Sequence, residues 1–348
     1  MGPMARVTVF IPTFNRAGLV RGAIESVLAQ TFTDFRLHVS DNASDDETPQ
    51  VVASFDDPRL TYTRQPHNLG LIGNHSWCLE QADTDYSLIM SDDDLAYPQL
   101  LERTVAALDG SPQVGMVHSS FDVIGSRGEM LRVDENWTYG LRGDTVESSE
   151  RFVTEAMKWS CRICASTALM RTKALPAGGM GDEDLPAVDF DMWLQMAGSG
   201  WEFAFIDQPL AAYRIHAATH SAAFGQPSGP GYIQGVEIVS RLLDIKLRFL
   251  EQHNGVVADP GRMRRLAERA RGRELVMMAR NMTLPERRRN ETFRALARVA
   301  RVDPRVLARP DVWKLAVASV LGPRLVERIK ARGVARGEPA RRDSTQGT

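Results

Sequence analysis

Three cysteines in 348 residues, Cys78, Cys161 and Cys164, are too few to staple a fold, which excludes a disulfide framework and points to a reducing compartment. Cys161-Arg162-Ile163-Cys164 has CxxC spacing, but it lacks both a second pair for zinc and a thioredoxin-like context, so it reads as incidental thiols. No run approaches the roughly 20 apolar residues of a membrane-spanning helix. The Met1 segment also lacks the basic start and apolar core of a signal peptide, so the expected location is the cytoplasm. Aromatic residues make up only 7%, no zinc-finger spacing occurs, and the basic residues are spread along helical patterns; nucleic acid is therefore not expected as a partner. What is plentiful excludes disorder: 43% of the chain is apolar and 25% charged, the composition of a folded domain.

The formal net charge of −2 conceals two opposite halves. Residues 262–342 hold 23 Lys/Arg against 8 Asp/Glu, whereas residues 1–261 hold 19 against 35. An acidic front half suits a cation-dependent site, and a basic tail suits an anionic surface. From Tyr232 onward the pattern is helical, with Ile233, Val236, Val239, Leu242, Leu243, Leu247 and Leu250 on one face. Residues 232–335 thus read as a basic helical extension packed on the preceding domain. Its stretch Trp313–Ile329 is apolar with basic ends, which allows peripheral contact with the inner face of a membrane. Residues 336–348 read as a disordered tail.

Over the first 125 residues, short apolar strands alternate with helical patterns, which predicts an α/β fold with a mostly parallel central sheet flanked by helices. Strands are expected over Arg6–Ile11, Arg36–Asp41, Leu60–Gln65, Tyr86–Met90 and Val114–Phe121. Helices are expected near Ala17–Gln30, Asp45–Phe55, Leu71–Gln81 and Pro98–Leu108, the second opened by a capping box at Ser44-Asp45-Asp46-Glu47. Ligands of such sheets bind beyond the carboxyl ends of the strands. Three polar clusters fall there: Pro12-Thr13-Phe14-Asn15-Arg16, Asp41-Asn42-Ala43-Ser44, and Ser91-Asp92-Asp93-Asp94. Adjacent carboxylates at the end of a buried strand repel one another and resist desolvation. A hard divalent cation such as Mg²⁺ or Mn²⁺ compensates them most simply, and a solvated acidic turn is the plainer alternative.

Those clusters, in this order, together with Glu25–Phe32, Pro98, Asp189–Leu194 and Tyr213–His216, resemble the inverting nucleotide-sugar glycosyltransferases of family 2, which have the GT-A fold. The resemblance covers about residues 6–220. It implies a catalytic domain over 1–231, with a donor half to about 125 and an acceptor half from 126. It also implies a metal-dependent enzyme that moves a sugar, hexosyltransferase fashion, from a nucleoside-diphosphate donor to an acceptor hydroxyl. In this resemblance Pro12, Thr13, Asn15 and Arg16 line the nucleoside pocket. Asp41 accepts a hydrogen bond from a pyrimidine imide, which favours UDP or dTDP sugars. The Asn/Gly-rich turn with Asn68, Gly70 and Asn74 approaches the base and ribose, where glycine permits close contact.

The family's metal motif is usually Asp-Ser-Asp-Asp or similar, and here its first position is Ser91. Asp93 is then the expected metal ligand, Asp92 supports the metal or the nucleotide, and Asp94 assists the metal, the ribose or a neighbouring loop. His216 supplies a further metal contact, and Arg214 pairs with diphosphate oxygens or a core carboxylate; His220 has no assigned part. Asp189 is expected as the general base, with Asp191 in reserve and Val188 where relatives often carry an acid; helix capping is Asp189's structural alternative. Trp137, Trp159, Trp193 and Trp201 are candidates for an acceptor pocket or for the core. Gly178–Asp184 reads as a loop able to close over the donor. The acceptor itself is not legible. A silent nucleotide- or carbohydrate-binding protein of the same fold is the alternative from another class. A sugar-1-phosphate nucleotidyltransferase is disfavoured because its Gly-rich, Arg-containing loop after the first strand is absent.

Overall fold

The structure is a computed structural model that describes residues 5–136, 138, 141–159, 163–177, 180, 188–216, 230–253, 255–283, 296–297, 300–301, 304–310, 312–313 and 316, without the side chains of 188, 230–238, 240 and 276–283. Two compact units are distinguished: residues 1–223 with 237–270, and residues 224–236 with 271–348.

In the first unit, β1 (Val7–Thr13), β2 (Phe35–Asp41), β3 (Leu60–Arg64) and β4 (Tyr86–Ile89) lie parallel in the order β3-β2-β1-β4. All seven residues of β1 are buried, as its apolar run requires for a central strand covered on both faces. Alternation sorts its side chains: Val7, Val9 and Ile11 join one core layer and Phe10 the other. Beyond β4 the sheet becomes mixed. It adds β9 (Leu169–Arg171), antiparallel to both neighbours, then β6 (Val114–Ile124), then β10 (Glu202–Arg214) parallel to β6, then β5 (Leu95–Ala96). Two further strands branch off, β7 (Met130–Glu135) on β6 and β8 (Thr145–Glu147) on β10. The parallel arrangement read from the sequence therefore describes the first half of the sheet.

Helices cover both faces. On one, α1 (Ala17–Leu28) buries Val20, Ala23, Ile24 and Val27, and α4 (Leu100–Gly110) buries Leu100, Leu101, Val105 and Leu108. On the other, α3 (Gly70–Glu80), α5 (Ser149–Lys158) and α6 (Val188–Gly198) share a core with the part of α7 (Pro230–Gln252) that follows residue 237. Val239, Leu242, Leu243 and Leu250 of the expected apolar face are buried there. Trp193, also expected as an acceptor-pocket candidate, is buried in this same layer, and Trp201 packs against Gly115; Trp137 lies outside the described residues.

The short helix α2 (Thr48–Ala53) corrects one expectation: the Ser44–Glu47 capping box does not form. Ser44 Oγ instead accepts the Asn15 N–H at 2.9 Å, and Asp46 Oδ1 accepts the Thr48 N–H at 3.0 Å. The hydroxyl is taken by the loop after β1, so the helix starts later than the sequence suggests. In the second unit, α8 (Pro260–Thr283) continues past residue 271 and a 3₁₀ turn spans Pro304–Ala308; Trp313 Nε1 donates to the Leu307 carbonyl at 2.7 Å. No described helix is long and apolar enough to cross a membrane.

Candidate functional site

The loops at the carboxyl ends of β1, β2 and β4, with the start of α3, enclose a cavity of about 430 Å³. Its wall includes Pro12 and Thr13 at the end of β1 with Phe14 and Arg16 just beyond, Asn42 after β2, Asn68 after β3, Gly70, Leu71, Asn74 and His75 of α3, Ser91, Asp92 and Asp93 after β4, and Tyr213 of β10. Gly70 has a φ of +77°, a left-handed conformation that glycine adopts without strain. Asn42 fixes the third loop to the second: its amide donates to Asn68 Oδ1 at 2.8 Å and to the Gly70 carbonyl at 2.9 Å, while its oxygen accepts the Leu69 N–H at 2.7 Å.

The three adjacent carboxylates are held in different ways. Asp92 Oδ2 accepts the Thr13 hydroxyl at 2.7 Å, which ties the acidic loop to β1. Burial pushes the Asp92 carboxyl up to about 7; the Thr13 hydrogen bond pulls the other way and the Asp93 charge adds to the rise. Asp94 is only 1% exposed and is not on the cavity wall, with Oδ2 accepting the Ser166 hydroxyl at 2.5 Å and Oδ1 the Arg214 N–H at 2.8 Å. Its carboxyl is likewise pushed up to about 7, chiefly by burial. Asp94 therefore anchors the loop instead of facing a ligand.

Asp93 faces His216, whose Nε2 lies 2.9 Å from Asp93 Oδ2 and 3.2 Å from Arg16 Nη1. One ring nitrogen either donates to the carboxylate or accepts from the guanidinium, so the two contacts are alternatives set by its proton. Without that proton, its lone pair is also available to a cation. Among the described residues, no three His, Cys, Asp or Glu side chains form a ready-made cage. A Mg²⁺ or Mn²⁺ ion needs less, because it is bound through one or two carboxylates and completes its shell with water and substrate phosphates. Two oxygen donors beside one imidazole suit such an ion, and the residues present fit it.

Other expected residues stand elsewhere. Asp41 is fully buried, with Oδ1 accepting the Ser44 N–H at 2.8 Å and Oδ2 the Tyr62 hydroxyl at 2.6 Å. The expected imide contact thus has no exposed oxygen, and Asn42, not Asp41, forms the wall. Asn15, at φ 53°, is not on the wall; its Oδ1 accepts the Asp45 N–H at 2.8 Å and locks the first two loops together. Arg214 is not on the cavity wall; its Nε donates to the Asp93 carbonyl at 2.6 Å and its Nη1 to the Gly125 carbonyl at 3.1 Å, contacts that hold the acidic loop.

Asp189 and Asp191 lie half-buried in the first turn of α6 and outside the cavity wall. Asp189 Oδ1 accepts the Phe190 N–H at 2.8 Å, and burial raises its carboxyl above the ordinary range. All of the expected closing loop Gly178–Asp184 except Met180 lies outside the described residues, as do His220 and Cys161. Cys78 and Cys164 are buried, and burial pushes the Cys78 thiol up to about 12, far from a reactive thiolate. Phe14, Leu71 and Tyr213 lie within or beside the quoted motifs but were given no role, and His75 and Ser166 were not foreseen at the site: His75 carries no motif, and Ser166 sits in a segment without periodicity.

Residues 8–175 match the family profile described as glycosyl transferase family 2. A curated relative, the GalNAc(5)-diNAcBac-PP-undecaprenol beta-1,3-glucosyltransferase of Campylobacter jejuni, is 35% identical over 118 residues, which is 33% of this chain and 37% of that protein. The chain thus spans well under half the length of that relative. Among solved structures, S. aureus TarS 1–349 in complex with UDP-GlcNAc superposes with a TM-score of 0.60 at 17% identity, covering 94% of this chain and 92% of that one. The mannosyltransferase PcManGT from Pyrobaculum calidifontis, in complex with GDP-Man and Mn²⁺, gives a TM-score of 0.54 at 17% identity over 95% and 85%. Sequence profile, strand-end clusters and architecture agree: residues 8–175 form a domain of glycosyl transferase family 2, on a GT-A fold.

Proposed function

We propose that this protein is a metal-dependent, inverting glycosyltransferase that passes a sugar from a nucleoside-diphosphate donor to an acceptor hydroxyl. The observation that carries the reading is the convergence of Thr13, Arg16, Asp92 and Asp93 from two strand ends on one cavity large enough for a nucleotide, with His216, just past the end of β10, against Arg16 and Asp93. Phe14 and Leu71 offer apolar surface for a base, and Arg16 offers positive charge beside the acidic pair. A divalent cation held by Asp93 with Asp92 and His216 would neutralise the charge that develops on the departing diphosphate. Inversion needs a base on the opposite face of the sugar, and Asp189, its carboxyl raised by burial, is the candidate that takes the acceptor's proton. Asp191 is the reserve.

Two related folds carry different donors, UDP-GlcNAc in one and GDP-Man with Mn²⁺ in the other. With Asp41 buried, the choice of base rests on the cavity wall, so UDP, dTDP, GDP and CDP all belong in the test. Each is titrated calorimetrically into the protein with Mn²⁺, with Mg²⁺ and with EDTA, alongside Asp93→Ala. Binding of one diphosphate that depends on metal and is lost in Asp93→Ala is the expected result. No binding by any of them would sink the proposal and favour a silent binding domain.

A further inference from the structure

We infer that Ser166 is a positioning residue for the acidic loop, holding both of its ends on a single hydroxyl. The geometry stands alone; its effect on metal and nucleotide rests on the function proposed above. Ser166 is 1% exposed, in the middle of the 3₁₀ turn Ala165–Thr167 that leads into β9. Its hydroxyl donates to Asp94 Oδ2 at 2.5 Å and accepts the Ser91 N–H at 3.2 Å. The roles follow from the inventory of protons: a backbone N–H only donates, so the one hydroxyl proton is left for the carboxyl. Ser91 and Asp94 bracket Asp92 and Asp93, so the two wall carboxylates hang between two fixed points.

The support is itself rigid. Thr167 Oγ1 donates to the Cys164 carbonyl at 2.8 Å and accepts the Ser119 N–H of β6 at 3.3 Å, and the Ala168 N–H closes the turn on the Ala165 carbonyl at 3.0 Å. Three neighbouring carboxylates repel, and the loop that carries them opens unless one is tied down. Ser166 and the Arg214 N–H share that task at Asp94, one on each oxygen. Groups that orient a metal's ligands without touching the metal are commonly worth 10- to 100-fold in affinity.

The test uses the full chain with Ser166→Ala, Asp94→Asn and the double variant, and two readouts. The first is amide hydrogen exchange at residues 90–95 without nucleotide. The second is calorimetric affinity for whichever of UDP, dTDP, GDP and CDP the wild type binds, with Mn²⁺ and with EDTA. In Ser166→Ala, exchange at 90–95 should rise about tenfold while β1 and β6 stay protected, and the Mn²⁺-dependent affinity should fall about 10- to 100-fold with the EDTA affinity within about twofold. The double variant should be no worse than Ser166→Ala alone, because the link that Asp94→Asn weakens is one of the two that Ser166→Ala removes. Unchanged exchange, or equal weakening with and without metal, would overturn the inference. Faster exchange in Ser166→Ala, with no metal-dependent binding even in the wild type, would remove the proposed function and leave the anchor standing. If Ser166→Ala does not fold, Asp94→Asn carries the same two readouts, with changes in the same direction but smaller, because the Ser91 N–H keeps its acceptor.

Discussion

Replacing Thr13 with valine keeps the shape of a buried side chain and deletes the hydroxyl that donates to Asp92 at 2.7 Å. The wild-type Asp92 carboxyl is pushed up to about 7 by burial, with the Thr13 hydrogen bond opposing the shift. A hydrogen bond to a charged group is worth about 1.5–3 kcal/mol, and a tenfold change in a protonation equilibrium corresponds to about 1.4 kcal/mol. Its loss should therefore move the Asp92 titration upward by about one to two pH units. The sign is fixed: the bond favours the ionised carboxylate, so the variant holds its proton to higher pH. If metal-assisted nucleotide binding needs that carboxylate ionised, the pH midpoint of Mn²⁺-dependent affinity should rise by the same amount. Near pH 7 the variant should bind about tenfold more weakly, and by pH 9 the difference should shrink. Calorimetric titration at half-unit steps from pH 6 to 9, with an EDTA series as control, reads this directly. A midpoint that stays put or falls would refute the reasoning, as would a deficit that persists undiminished at pH 9.

Gly115→Ala should destabilise the first unit by about 1–3 kcal/mol in urea denaturation, because an added Cβ would lie 2.7 Å from Trp201 Cβ and 2.8 Å from its Cγ. Tyr62→Phe removes the donor to Asp41 Oδ2 and leaves a fully buried carboxylate one partner short, so a loss of about 1–3 kcal/mol is expected in the same assay, with nucleotide affinity little changed. Asp189→Asn should lower turnover of the donor identified by calorimetry at least 100-fold while leaving diphosphate binding within about twofold. In the wild type, the acidic limb of the rate profile should lie above the ordinary carboxylate range, because burial raises that carboxyl; a limb at or below that range would remove Asp189 as the base.

The parallel half of the sheet and the strand-end clusters were legible because they are local: each apolar run fixes a strand, and each polar cluster follows its strand directly. Thr13, Arg16, Asn68, Gly70, Asn74, Asp92 and Asp93 all reached the cavity wall for that reason. Asp41 and Arg214 show where such reading fails. Both lie at strand ends and off the cavity wall, and the groups that hold them, the Tyr62 hydroxyl of β3 for one and the Gly125 carbonyl just past β6 for the other, are distant in sequence and cannot be inferred from neighbouring residues. Ser44 failed similarly, since the capping pattern was correct in form but the Asn15 amide competed for its hydroxyl. The insertion of β9 against the direction of its neighbours gave no signal, being three residues long.

That insertion bears on when the protein becomes competent during synthesis. The acidic loop follows β4, but its anchors come from Ser166, 72 positions after Asp94, and from the amide of Arg214, 120 positions after it; His216 meets Asp93 from 123 positions away. Contacts of such separation form late, because closing long loops costs entropy before it yields contacts. A chain emerging from the ribosome can pair its first four strands long before the acidic loop acquires its shape, so an intermediate arrested after β4 would carry the first three strand-end loops without the contacts that hold Asp93 and Asp94. The acidic loop therefore takes its final form only once β10 has been made.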